Sequence, residues 1–264
     1  KLADIYKGAN PQQAIEKLEQ LKSVVPSSVL ADKKLAEVYY MNNRFDKASE
    51  AYARFIHSSE TTEDDLVKYA FALFLNHDFE KSLEVANLGL KRNARHAAFN
   101  RLAMYNYTDM KRYDDAQKAA DAFFNAADKA DYSYLDYMYY GHLLNALKKY
   151  DEAVMQYQKA IELDTSKTEL WREISNAYEQ KNDYTDAIVA YQKYYEALSA
   201  DEQTADLQFQ IGKLYYGKGT QSDTLTVSLD ERKAALVSAD SVFAVIAQAA
   251  PDSYLGNFWR RLLY

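Results

Sequence analysis

Apolar residues recur along this chain at a spacing near 3.6, in runs separated by short polar stretches. Such runs predict amphipathic helices. Residues 29 to 42 are predicted as one, with Leu35, Ala36 and Tyr39 on a common face. Met41-Asn42-Asn43-Arg44 reads as a turn. A second helix follows, with Ala48, Tyr52 and Phe55 as its buried stripe. Asp46 and Glu50 fall in its first turns, where a negative charge suits the positive end of the helix dipole.

The same two-helix plan returns, marked by an aromatic residue with a small one three positions on. The phrase reads Phe45-Asp46-Lys47-Ala48, Phe79-Glu80-Lys81-Ser82, Tyr113-Asp114-Asp115-Ala116, Tyr150-Asp151-Glu152-Ala153 and Tyr184-Thr185-Asp186-Ala187. Successive aromatics stand 34, 34, 37 and 34 residues apart. The small residue lets the two helices of a pair approach closely. The aromatic fills the space at the turn. Neither helix can bury its stripe alone, so a fixed period of this size predicts a stacked array of helix pairs.

These phrases resemble the tetratricopeptide repeat. That family has 34 residues in two antiparallel helices, small residues at positions 8 and 20, Tyr at 11, an aromatic at 24 and Pro at 32. The repeat from Thr168 fits well, with Trp171, Ile174, Ser175, Tyr178, Ala187 and Tyr191 in the expected places. The repeat from Tyr134 supplies Gly141, Ala153, Tyr157 and Ala160, and that from Val29 supplies Leu35, Ala36, Tyr39, Ala48 and Tyr52. The repeats from Glu63 and Ala97 match more loosely. The resemblance implies an all-α fold, a right-handed superhelix of antiparallel helix pairs (an α-solenoid).

Laid out in this register, 1–264 reads as one array. Residues 1–28 are a repeat lacking its first residues, and full repeats follow at 29–62, 63–96, 97–133, 134–167 and 168–204. A repeat with an insertion spans 205–253, and 254–264 begin a further helix. The insertion is expected as a loop over 217–233, because Gly217 and Gly219 read as breakers. Leu225, Val227 and Leu229 alternate like a short strand, and Ser228 to Glu231 resembles a capping box. The ends fall inside helical patterns, with Leu2 and Ile5 at one and Tyr264 at the other, as expected for part of a longer protein. The closing run around Ala250-Pro251-Asp252-Ser253, with Trp259-Arg260-Arg261, resembles Bacteroidetes tetratricopeptide proteins. That resemblance implies an exported or periplasmic home.

Composition narrows the function. Gly (7) and Pro (3) are scarce, as helices require, and there is no Cys, which excludes disulfides and thiolate chemistry. A formal charge of -7 argues against nucleic acid as a partner. No apolar run is long enough to predict a membrane span. The four histidines lack metal-ligand spacing, and neither a phosphate loop nor a nucleophile elbow is present. The expectation is a protein that is not an enzyme, has no cofactor and no metal, and binds a protein or peptide.

The tetratricopeptide resemblance implies a concave groove lined by first-helix positions 2, 5, 6, 9, 12 and 13. These give Tyr40, Met41, Phe71, Phe74, Tyr105, Met138, Tyr139, His142, Phe209 and Tyr216. Rigid aromatics and Met are favoured at protein contacts. Phe71, Phe74 and Tyr105 are expected to form an apolar platform, with Lys68 and Arg101 orienting a carboxylate or backbone carbonyl. Arg172 and Asn176 loosely match the family's clamp for a peptide C-terminus. The alternative is a scaffold segment that works through its ends or outer face.

Overall fold

The computed structural model describes residues 10–222, 227–249 and 254–263. The expectations placed on Leu2, Ile5, Leu225, Pro251 and Tyr264 fall outside them. Every described element is helical, and no strand occurs among the described residues. The helices are α1 (Pro11–Val24), α2 (Val29–Met41), α3 (Phe45–Ala53), α4 (Glu63–Leu75), α5 (Phe79–Arg92), α6 (Ala97–Asp109) and α7 (Tyr113–Ala126). After a 3-10 turn at Lys129–Asp131 come α8 (Tyr134–Ala146), α9 (Tyr150–Leu163), α10 (Leu170–Gln180), α11 (Tyr184–Ala197), α12 (Ala205–Thr220), α13 (Leu229–Ala249) and α14 (Tyr254–Arg261). Contacts gather them into two compact units, Lys1–Tyr132 and Ser133–Tyr264. In each unit consecutive helices pack pairwise, α2 on α3, α4 on α5 and α6 on α7 in the first, α8 on α9, α10 on α11 and α12 on α13 in the second.

Caps start the helices where the polar residues stand. The Asn10, Ser28, Asp78 and Asp183 side chains accept backbone N–H groups of the first turns of α1, α2, α5 and α11. Thr62 with Asp65, and Ser133 with Asp136, close reciprocal capping boxes on α4 and α8. The turns inside the pairs are uniform. Asn43, His77, Lys111, Lys148 and Asn182 each adopt a left-handed conformation with φ between 56° and 62°. The next residue's N–H then reaches back to the helix, as Arg44 does to the Tyr39 carbonyl and Lys149 to that of Leu144.

The small residues of the recurring phrase lie at the helix crossings. Ala48, Ser82, Ala116, Ala153 and Ala187 are all 0% exposed. Ser82 retains its polar group by donating to the Ala70 carbonyl at 2.7 Å and accepting from Asn106 Nδ2 at 2.8 Å. Against Gly141 lies the Tyr157 ring, so close that a Cβ there would stand 2.6 Å from Cε1. That is why a glycine occupies the first-helix crossing of this pair. Tyr39, Tyr52, Tyr157 and Tyr191 are core residues, whereas Tyr107 and Tyr178 are only half-buried. Phe55 is buried but falls just past the end of α3, where its carbonyl accepts from the buried Thr61 hydroxyl at 2.8 Å.

The one 37-residue step has a structural cause. The 3-10 turn Lys129–Asp131 takes up three residues between α7 and α8. Three contacts hold it on its own unit: Tyr132 packs its ring on Phe123 at 5.4 Å and on Phe124 at 5.2 Å, and Arg101 donates to the Asp131 carbonyl at 2.7 Å.

The insertion differs from the loop expected over 217–233. α12 runs through Gly217 and Gly219 to Thr220, and α13 starts at Leu229, so most of the extra length extends two helices. Gly217 serves close approach, not chain reversal: a Cβ there would meet Cε1 of Tyr184 at 2.4 Å. The Ser228–Glu231 capping box forms, with Ser228 N–H donating to Glu231 Oε2 at 2.8 Å.

Candidate protein-interaction surface

Helical spacing fixes which first-helix residues share the face expected to line the groove. On α2 they are Leu30, Lys34, Glu37 and Met41, and on α4 Asp64, Lys68, Phe71 and Leu75. The two helices are tied by Lys33, whose Nζ lies 2.6 Å from the buried Asp65 carboxylate. Leu30 and Met41 are each 59% exposed, and Phe71 and Tyr40 are half-buried. Tyr40 stacks edge-on to Phe45 at 5.6 Å. Burial, and then the Asp64 charge, push its hydroxyl pKa up.

The three-ring platform does not form as expected. Phe71 lies 6.0 Å from Phe74, and Phe74 lies 5.5 Å from Tyr105. Yet Phe74 is 6% exposed and Tyr105 only 1%. The cause is the direct contact of α4 with α6, which places both rings in the joint between helices. Phe74 and Tyr105 are core residues, and Phe71 alone of the three faces outward. The two cations are also committed. Lys68 pairs with Asp64 at 2.5 Å, and Arg101 lies 4.8 Å above the Phe123 ring while it holds Asp131.

In the second unit Met138 packs on the core of Leu144, Ala153, Tyr157 and Ile174. Tyr139 stacks on His142 at 5.9 Å, and His142 meets Tyr157 edge-on at 5.5 Å. Met138, Tyr139 and His142 are half-buried. Arg172 is exposed, but its guanidinium lies 5.6 Å over Tyr194 and 3.7 Å from Glu173. Asn176 is half-buried one turn further along the same helix. Arg172 thus makes its contacts within its own repeat.

Phe209 and Tyr216 pack on Trp259 at 5.7 and 5.2 Å. Leu30 was missed in the sequence, although it stands at position 2 of its repeat. Its signal was an apolar residue directly after Val29, the first residue of its helix. Among the described residues no group of His, Cys, Asp and Glu is arranged to hold a metal, and no helix is long and apolar enough to cross a membrane.

The Asp65 cluster gives unit Lys1–Tyr132 an acid-sensitive tie. Burial raises the Asp65 pKa, but hydrogen bonds from Lys33 and Thr62 outweigh it and hold the carboxyl below its ordinary 3.8. A depressed folded pKa contributes stability that is present above the unfolded value and lost as pH falls through the folded one. Asp65→Asn is therefore expected to cost about 2 kcal/mol at neutral pH, the usual worth of hydrogen bonds to a charged group. Its stability should also fall less steeply than the parent's below about pH 4. Urea unfolding at a series of pH values checks both, and parallel curves would refute the assignment.

The tetratricopeptide-repeat family model matches residues 6–61 and 140–202. No curated protein matches the chain by sequence. Among solved structures, the C-terminal part of a TPR repeat-containing protein from Cytophaga hutchinsonii, of the Bacteroidetes, is 23% identical. It aligns over 75% of this chain and 69% of its own, with a TM-score of 0.57. YrrB, described as a TPR protein with an unusual peptide-binding site, is 18% identical over 81% of this chain and 100% of its own, with a TM-score of 0.57. MamA from Desulfovibrio magneticus RS-1 is 16% identical over 64% of this chain and 94% of its own, with a TM-score of 0.54. Identities this low show a shared fold. With the packed helix pairs, they show that the chain has the all-α fold of tetratricopeptide-repeat proteins, and the family model marks 6–61 and 140–202 as similar to that repeat.

Proposed function

We propose that the chain is a non-catalytic protein-interaction module. It takes up an extended or helical segment of a partner protein along the inner face of α2 and α4. The observation that carries this reading is the grouping of Leu30, Met41 and Phe71 on equivalent faces of two tied helices. Single exposed apolar residues are ordinary, whereas a group on one face marks a contact surface. Met adapts to varied apolar anchors, and the Lys68–Asp64 pair at the rim can reorient toward polar groups of the segment. The peptide-binding site attributed to YrrB supports the class of ligand.

The test is capture from native lysate on immobilised protein, followed by titration calorimetry on what is retained. Met41→Ala and Phe71→Ala are each expected to weaken binding by about 1–3 kcal/mol, as contact hot spots do. Their thermal melts should stay close to the parent's, because neither side chain is fully buried. Equal affinity in parent and double variant would sink the reading and leave the scaffold role.

A further inference from the structure

A cleft of about 430 Å³ opens between α1 and α3, floored by the buried Leu35 and Tyr39 of α2. These two lie on another stripe of α2 than Leu30, Lys34, Glu37 and Met41, so the cleft is separate from the surface proposed above. At its wall the buried Asp32 carboxylate is shared by two cations, Lys22 Nζ at 2.7 Å and Arg54 Nε at 2.6 Å. Lys22 also donates to the Pro26 carbonyl, so its ammonium is committed. Arg54 is bonded through Nε alone, and its two Nη groups have no hydrogen-bond partner among the described residues. Two further cations stand over the Tyr39 ring, the Arg44 guanidinium 5.1 Å and Lys47 Nζ 5.8 Å from its centre. Neither pairs with a carboxylate among the described residues. Burial, and then Glu19, which accepts the Tyr39 hydroxyl at 3.2 Å, push the pKa of that hydroxyl up, whereas Arg44 and Arg54 pull it down.

We propose that this cleft holds a carboxylate, an Asp or Glu side chain on a segment of a partner protein, between the Arg54 and Lys47 cations. The chemistry follows from charge. Lys22, Arg44, Lys47 and Arg54 stand around the cleft against three carboxylates, Glu19, Asp32 and the exposed Glu50. One positive charge is left over, in a chain whose formal charge is -7. A single carboxylate balances it. A phosphate dianion would leave surplus negative charge facing Glu19 and Glu50. The open edge of a guanidinium matches a carboxylate in geometry, and an anion here also relieves the repulsion between Arg44 and Lys47 over one ring. The floor of Leu35 and Tyr39 keeps water from one side of the pair, which strengthens it relative to a pair on open surface.

The test is a titration of the whole chain, with its arginine side chains labelled with nitrogen-15, followed by NMR at low salt. The probe is the tripeptide Ala-Glu-Ala, acetylated and amidated so that its one charge is the side-chain carboxylate. The Arg54 side-chain signals should shift saturably, and the affinity should fall as salt is added. Lys47→Glu should abolish the shift and keep the parent's thermal melt, since Lys47 is exposed and unpaired. If that melt drops, Glu50→Gln decides: removing a negative charge from the rim should tighten binding by about two- to fivefold, as single exposed pairs do. Lys118→Glu, at an 80% exposed side chain on α7, should bind like the parent. No saturable shift, or an equal shift with Ala-Gln-Ala, overturns the proposal. So does Glu50→Gln that binds no tighter, or a Lys118→Glu that loses binding, which would make it a general effect of charge. Inorganic phosphate that binds tighter than the tripeptide would overturn the carboxylate as occupant.

Discussion

Ala153→Glu is expected to unfold the second unit or bring it close to unfolding. Ala153 is 0% exposed, and Leu144, Val154, Tyr157 and Ala160 are buried in the same cluster. The larger side chain overpacks the crossing by about 1–3 kcal/mol. A carboxylate buried among these apolar side chains adds a penalty of several kcal/mol more, or drives its own protonation. Together these approach the roughly 5–15 kcal/mol that holds a domain folded. Ala153→Ser is the informative companion. Ser82 stands at the equivalent crossing and donates to the carbonyl twelve residues back. The Gly141 carbonyl is the matching acceptor for a serine at 153, so that variant should stay within about 1 kcal/mol of the parent. Circular dichroism melts of both variants decide it. A Glu variant melting with the parent would mean the crossing is not closed at this residue.

Tyr105→Ala is expected to cost about 3–5 kcal/mol, the range for emptying a buried aromatic site. The ring is 1% exposed and packs on Phe74 in the joint between α4 and α6. Phe71→Ala, on the neighbouring turn of α4, should cost far less, since its ring is partly solvated. The contrast separates two fates for rings that stand at the same repeat position. If Tyr105→Ala melted like the parent, the joint would be loose and the ring available to a partner.

That contrast also shows what was legible in the sequence. Phe45, Phe79, Tyr113, Tyr150 and Tyr184 each begin a second helix, as their spacing implied. The five small residues lie at 0% exposure because close crossing of two helices admits nothing larger. Such features are local to one pair, and the period repeats them. The inner face is not local. Phe71 and Tyr105 both occupy position 9, and only the approach of α6 to α4 separates surface from core. Arg101 looked like a groove cation, but the extra turn at Lys129–Asp131 claims it. Gly217 and Gly219 looked like breakers because composition does not tell a glycine that bends the chain from one that admits a ring.

The turns inside the helix pairs carry a consequence for how such a chain changes over evolutionary time. In α2–α3, α4–α5, α6–α7, α8–α9 and α10–α11 the linker is three residues long, with its middle residue left-handed. Adding or removing a residue there would rotate the second helix by about 100° and turn its small residue away from the crossing. Insertions and deletions are therefore filtered out of these positions. The connections between pairs obey no such rule, from four residues between α5 and α6 to nine between α3 and α4. Length variation among descendants of this chain should collect there, or enter as added turns of two partner helices together, as in α12 and α13.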